Sequence, residues 1–438
     1  MQPQPDDPPD HSHPRDPWRT HYAQRAQGML ASEVRALFAV ASRPEIVSLA
    51  GGMPNIAALP LDDMAALMSD LVARRGTVAL QYGAAQGDAG LRESICAVMA
   101  REGIADARAD DVVVTAGSQQ ALDLVTRVFI DPGDTVVTEA PTYVTALNTF
   151  AAFQARVEHV PLDREGVIPE ALAAVLARLR SEGRPPKLFY TVPTFQNPAG
   201  VTLSPARRQQ VIDICRRAGV LVLEDNPYGL LHFDGEPMRA LRADDPDVVY
   251  LGSFSKTLAP GLRVGWALAP TAVKDKLVLA AESAVLSPSP LAQMTVETYL
   301  RTQPWEDQLK VFREMYRERR DALLDALHQY MSPGIGWNTP GGGFFVWVTL
   351  PAGLDAQAML PRAIGTRVAY VPGTGFYADS NGRHEMRLSY CYPTPDRIRE
   401  GVRRLAEVIR EEITLHEAFG PIPRRTVRGP QAPGPELP

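Results

Sequence analysis

Short runs of apolar residues alternate along this chain with longer stretches in which apolar positions recur at helical spacing. Strands buried on both faces are apolar throughout, and helices that cover them are apolar along one stripe, so the pattern predicts an α/β protein with a mostly parallel sheet. Val112-Val113-Val114 predicts a strand, followed by a Gly117-Ser118 turn and a helix through Ile130. Val136-Val137 predicts a second strand, leading through a Pro141 turn into another helical stretch. Residues 187–192 form a third, ending at Pro193, after which Ser204-Pro205 opens a helix with Ser as N-cap and Pro at the first helical position. That helix closes near Gly219 and feeds the continuous apolar run 220–223, and 248–251 is the next such strand.

Beyond about residue 300 the texture changes. A charged helix over 305–330 precedes strands at 343–350, 367–371 and 386–391, then a helix capped by Thr394-Pro395. Separated strands and helices of this kind predict a second, smaller α+β domain. The terminal stretches, 1–20 and 419–438, are rich in Pro and polar residues and are expected to be disordered tails.

Composition narrows the function classes. With 438 residues, 45% hydrophobic and 22% charged, the chain is an ordinary globular protein of more than one domain. A formal charge of -6 disfavours nucleic acid as a partner. Cys96, Cys215 and Cys391 form no C-x-x-C pair, which excludes a disulfide framework and fits a reducing compartment. The amino terminus lacks the apolar core of a signal peptide, and no stretch approaches the roughly 20 apolar residues of a membrane span, so a cytoplasmic location is expected, with no membrane partner. His232 and the other histidines show no ligand spacing, and no metal site is expected.

Four segments stand where an open α/β sheet binds ligands, at the carboxyl ends of strands. Ser253-Phe254-Ser255-Lys256 follows one apolar run directly, with Leu262-Arg263-Val264-Gly265 close behind. A charged lysine is costly to bury in so apolar a setting, and a lowered pKa both relieves this and makes the amine a nucleophile towards an aldehyde. The neighbouring hydroxyls and arginine suit a phosphate dianion. A surface loop with a snorkelling lysine fits the same residues. Asp225, in Leu223-Glu224-Asp225-Asn226-Pro227-Tyr228, falls at the end of an apolar strand, where a protonated pyridine nitrogen would be a fitting partner and Tyr228 could reach a ring oxygen. A helix N-cap is the ordinary alternative. Thr115-Ala116-Gly117-Ser118-Gln119-Gln120 opens a helix after a strand, which suits a phosphate or simple capping. Phe195-Gln196-Asn197-Pro198-Ala199-Gly200 offers an amide from Asn197, or is a plain turn.

Taken in this order, Gly117-Ser118-Gln119, Asn197-Pro198-Ala199-Gly200, Asp225-Asn226-Pro227-Tyr228 and Ser253-Phe254-Ser255-Lys256 with Arg263 resemble the class I/II aminotransferase family over about residues 30–415. Ala50-Gly51-Gly52-Met53-Pro54, residues 341–347 and Met386-Arg387-Leu388-Ser389-Tyr390 are most similar to its 2-aminoadipate and kynurenine members. The resemblance implies the fold type I of pyridoxal-5′-phosphate (PLP) transferases. It divides the chain into an N-terminal arm joining the small domain (21–58), a large cofactor-binding domain (59–303) and a small domain (304–418).

It further implies that Lys256 holds PLP as a Schiff base and shuttles the proton, and that Asp225 pairs with the pyridine nitrogen, with Asn197 and Tyr228 on the ring oxygen. Gly117, Ser118, Gln119, Ser253, Ser255 and Arg263 would hold the phosphate, and Tyr143 would stack on the ring. Arg387 would grip the substrate α-carboxylate, where a bidentate fork suits the task, with Asn197 and Gly52 beside it. Arg35, in Ser32-Glu33-Val34-Arg35, would read a distal carboxylate, or is a solvated helix residue. Tyr82 matches a tyrosine donated across a subunit interface to the neighbour's phosphate, which implies a homodimer with shared sites. The expected activity is ping-pong transfer of an amino group between an amino acid and a 2-oxo acid, with glutamate and 2-oxoglutarate as one pair. A PLP lyase or decarboxylase on the same fold is the alternative, and a PLP-sensing regulator a more distant one.

Overall fold

A computed structural model of the chain describes residues 17–18, 20–27 and 43–420. Arg35 and most of both terminal tails lie outside the described residues. After a two-residue strand β1 (Val47–Ser48), eight strands form one sheet: β2 (Val112–Thr115), β3 (Thr135–Ala140), β4 (Arg156–Asp163), β5 (Gly166–Val167), β6 (Leu188–Thr191), β7 (Leu221–Asp225), β8 (Val249–Ser253) and β9 (Gly265–Leu268). Their order is β2-β9-β8-β7-β6-β3-β4-β5, and only β9 and β5 run against the rest.

Alternation within the strands explains why both faces are apolar. Val136, Leu188 and Leu223 face a core that includes Leu122, Val125, Phe150 and Leu277, from helices Ser118–Phe129, Val144–Ala152 and Thr271–Val285. Their neighbours Val137, Phe189 and Val222 face Leu172, Leu176, Val211 and Ile212, from helices Pro169–Ser181 and Pro205–Ala218. Each fully buried side chain of this size contributes about 1.5–3 kcal/mol, which is why apolar residues dominate these positions.

A second sheet holds β10 (Gly336–Trp337), β11 (Phe345–Thr349), β13 (Val371–Pro372) and β14 (Glu385–Ser389), all antiparallel, in the order β10-β11-β14-β13. Helices Trp305–Tyr330 and Pro395–Phe419 pack against each other beside it. β1 pairs in parallel with β12 (Val368–Ala369), which ties the start of the described main body to this part. The predicted strand over 367–371 is therefore two short strands in different sheets, separated at Tyr370, whose hydroxyl donates to Ala356 O. Ser204 occupies the N-cap position, but its hydroxyl makes no capping bond and turns to the Glu165 carboxylate at 3.5 Å. Among the described residues no helix is long and apolar enough to cross a membrane, and no His/Cys/Asp/Glu cluster could hold a metal ion.

Candidate active site

The carboxyl ends of β2, β3, β6, β7 and β8 converge on one cavity of about 300 Å³. Segments 52–53 and Phe345 and Arg387 of the second sheet close it from the other side. This is the crevice position that open α/β sheets use for ligands.

β7 ends on Asp225, whose carboxyl is buried. Tyr190, on neighbouring β6, donates its hydroxyl to Asp225 Oδ2 at 2.8 Å. Oδ1 has no partner. Burial pushes this carboxyl up to about 6, and the Tyr190 hydrogen bond and the Lys256 charge pull it back. No helix follows Asp225, so the N-cap alternative does not hold. The chain instead turns at Asn226, whose Oδ1 accepts from Gly229 N, and brings Tyr228 against Phe344 and Phe345.

Lys256 lies three residues beyond the end of β8. Burial lowers its ammonium to about 8, so the neutral amine is far more accessible near physiological pH than in an ordinary lysine. Its Nζ donates to Gly52 O at 2.8 Å and stands 5.6 Å from the Phe344 ring centre. The snorkelling surface lysine is excluded.

Gly117 has φ +82, the left-handed region that favours glycine, and the Arg263 guanidinium lies directly over it. The Ser118–Phe129 helix then presents its first amides to the cavity, a favourable end for an anion. Ser253 Oγ lies 2.8 Å from Ser255 Oγ. Arg263 adopts a left-handed φ of +52, a strained conformation for a side chain of this size, and donates to Ala116 O at 2.8 Å. Gln119 lines the cavity, and its Nε2 donates to Thr149 Oγ1 at 2.8 Å.

Arg387, on β14, donates through Nη1 to Asn197 Oδ1 at 2.8 Å and through Nη2 to Ala50 O at 2.7 Å. Its guanidinium carbon lies 4.1 Å from the Phe345 ring centre and 5.1 Å from that of Phe376. Nε has no partner. Burial lowers the guanidinium to about 10. The bond to Arg387 leaves the amide nitrogen of Asn197 as its donor towards a cavity guest. Tyr143 also lines the cavity, whereas Tyr82 is 78% exposed and lies away from it within this chain.

Residues 45–405 match the aminotransferase class I and II family. The chain belongs to that family. It is 40% identical, over 90% of its length and 95% of the relative's, to aromatic-amino-acid aminotransferase 1 of Thermococcus litoralis. It is 37% identical to the 2-aminoadipate transaminase of Thermus thermophilus, over 91% and 98% of the two chains. The crystal structure of Pyrococcus horikoshii kynurenine aminotransferase, solved with PMP, superposes with a TM-score of 0.87 at 41% identity, covering 91% of this chain and 98% of that one. This aminotransferase is thus an enzyme of fold type I that transfers an amino group and uses PLP.

The aminotransferase cavity fits the cofactor on its own chemistry. Asp225 Oδ1 is a buried acceptor with nothing to accept, and a protonated ring nitrogen is the donor it lacks. Lys256 is the lowered-pKa amine an aldehyde requires. Sequence reasoning missed Tyr190, Met53, Val144, Val192 and Phe345. A signal for Tyr190 was present: a tyrosine inside a fully buried strand needs a partner for its hydroxyl, and the neighbouring strand ends in Asp225.

Proposed function

We propose that the enzyme accepts a broad set of L-amino acids, aromatic, branched or aminoadipate-like, with glutamate and 2-oxoglutarate as the returning pair. The observation that carries this reading is Arg387, a buried guanidinium with an Nε unpartnered among the described residues, set in a cavity whose lining includes the apolar side chains of Met53, Val144, Val192 and Phe345. The cation selects a carboxylate, and the apolar lining favours a large hydrophobic side chain beside it. The aromatic, aminoadipate and kynurenine names of the relatives support the breadth.

Bound PLP supplies an aldehyde that captures amines and a ring that takes up the electrons left by a departing α-proton. The protein's residues then have separable tasks. Lys256, neutral above about pH 8, provides the amine and carries a proton. Asp225 holds a positive ring nitrogen, itself steadied by Tyr190. Asn197 and Tyr228 donate to the ring oxygen, and Tyr143 covers a ring face. Gly117, the Ser118 and Gln119 amides, Ser253, Ser255 and Arg263 surround the phosphate. Arg387 and Asn197 orient the substrate carboxylate, with Gly52 at its edge, and Arg35 reads a distal acid group. Tyr82 serves the site of a second copy in a homodimer. The division into an arm (21–58), a large domain (59–303) and a small domain (304–418), and a cytoplasmic location, belong to the same reading.

The test is the visible spectrum of the holoenzyme with glutamate, then with a panel of 2-oxo acids. Bleaching by glutamate and recovery with 2-oxoglutarate and aromatic oxo acids is expected. A cofactor band that no amino acid of these classes bleaches would overturn the substrate reading.

A further inference from the structure

Glu139, near the end of β3, is a buried carboxyl to which the roles above give nothing to do. Among the described residues no lysine or arginine pairs with it; three neutral donors hold it. Thr191 Oγ1 donates to Oε1 at 2.6 Å, while Val192 N and Gln196 Nε2 donate to Oε2 at 3.2 and 3.1 Å. Burial raises its pKa, and these hydrogen bonds oppose the rise.

What Glu139 holds is more telling than how it is held. Gln196 directly precedes Asn197, and its Nε2 also donates to Pro141 O at 2.7 Å, two residues before Tyr143. Its Oε1 accepts from Ala199 N at 2.7 Å, and its backbone pairs with Val201 and Gly200, so the Gln196 side chain braces the whole Asn197 turn from within. One carboxyl thereby joins two loops that spring from different strands and both line the cavity.

We propose that Glu139 is a positioning residue which, through Gln196, fixes the spacing between Tyr143 and Asn197. The inference rests on the roles given above to those two side chains. A fully satisfied polar cluster in a dry interior holds geometry more tightly than apolar packing, because each member has one arrangement that pairs every donor. A donor to the ring oxygen of PLP competes with the proton on the Lys256 nitrogen for the same lone pairs. Letting Asn197 drift therefore raises the pH at which that proton leaves.

The experiment compares holoenzymes of the wild type, Glu139→Gln, Gln196→Leu, Asn197→Ala and Glu224→Gln. Glu224 is the control: it too is a buried carboxyl on a strand of this sheet, but it accepts from Leu241 N and Arg242 N, outside the cavity lining. The readouts are the pH midpoint of the visible cofactor band, the PLP dissociation constant and the Tm. Glu139→Gln and Gln196→Leu are expected to raise the midpoint in the direction of Asn197→Ala and to weaken PLP binding about fivefold to tenfold, the effect of one misplaced hydrogen bond. Glu224→Gln is expected to lower Tm with the wild-type midpoint kept. Wild-type midpoints in both Glu139→Gln and Gln196→Leu, beside a shifted Asn197→Ala, would overturn the proposal alone. An unshifted Asn197→Ala would remove the role of Asn197 and the proposal with it. Should Glu139→Gln fail to fold, Gln196→Leu decides by the same criterion.

Discussion

Asp225, Ser253 and Lys256 stand at or just past the ends of adjacent strands of one sheet, whereas the opposite wall joins Arg387 to a segment 337 positions away. The first wall is held by ladder bonds and two cores, and its side chains inherit the sheet's rigidity. The second is a line of backbone carbonyls met by side chains and one backbone amide: Leu49 O by Ser389 N, Ala50 O by Arg387, Gly51 O and Met53 O by Cys391 Sγ. The chemistry common to all substrates belongs on the wall that cannot shift. Recognition of differing substrates belongs on the one assembled from separable pieces.

Predictions sharpen this contrast. The largest effect is expected at Lys256 on the rigid wall: Lys256→Ala should reduce kcat by at least about 10³-fold while leaving cofactor able to bind. Single-turnover absorbance traces with glutamate check this, and near-normal bleaching would show that the proton moves by another route. On the assembled wall, Arg387→Ala should raise KM about 10–100-fold, the worth of a charged bidentate contact, with PLP affinity kept. Steady-state kinetics beside a cofactor titration separates the two, and an equal loss of both would mean the walls are not independent.

The smallest effect concerns stability. Glu102 lies behind the Asp225–Tyr228 turn, accepting from Asn226 Nδ2 at 2.9 Å and from the Tyr250 hydroxyl, and burial pushes it up to about 8. Folded protein keeps a proton there that the unfolded chain has released above its ordinary value of 4.5, so this group's contribution falls as pH rises towards about 8 and is steady beyond. Glu102→Gln should make the Tm loss between about pH 5 and about pH 8 smaller by roughly 3–5 °C. An unchanged slope in calorimetry would assign the loss to other groups.

Much of the fold was legible because burial on both faces writes itself as unbroken apolar runs, as at 220–223, which begins β7 one residue early. β4 was not seen: Arg156, Glu158 and His159 interrupt its apolar positions, which a strand beside the two-residue edge β5 can tolerate. Asp225 and Lys256 could be singled out since a charge next to an apolar run is expensive and invites a reason. Glu139 and Glu102 sit in equally apolar surroundings yet drew no notice, because their partners are neutral groups tens of positions away. The side chain of Gln119 shows a different limit. Motif position placed it at the helix start, but only packing against Thr149 decides which way its amide turns.

The bond from Lys256 Nζ to Gly52 O has a further consequence. While the amine is free it tethers the carbonyl wall to the sheet, and any carbonyl compound that captures the nitrogen leaves it at most one N–H, which the captured group claims, so the tether is given up. Gly52 is then left with its neighbours' grip on Cys391 and with Phe345, whose ring a Cβ at Gly52 would approach to 3.1 Å. Whether the lysine is engaged is thus signalled to the segment bordering the substrate by the gain or loss of a single tether, a mechanical message that requires no movement of the sheet.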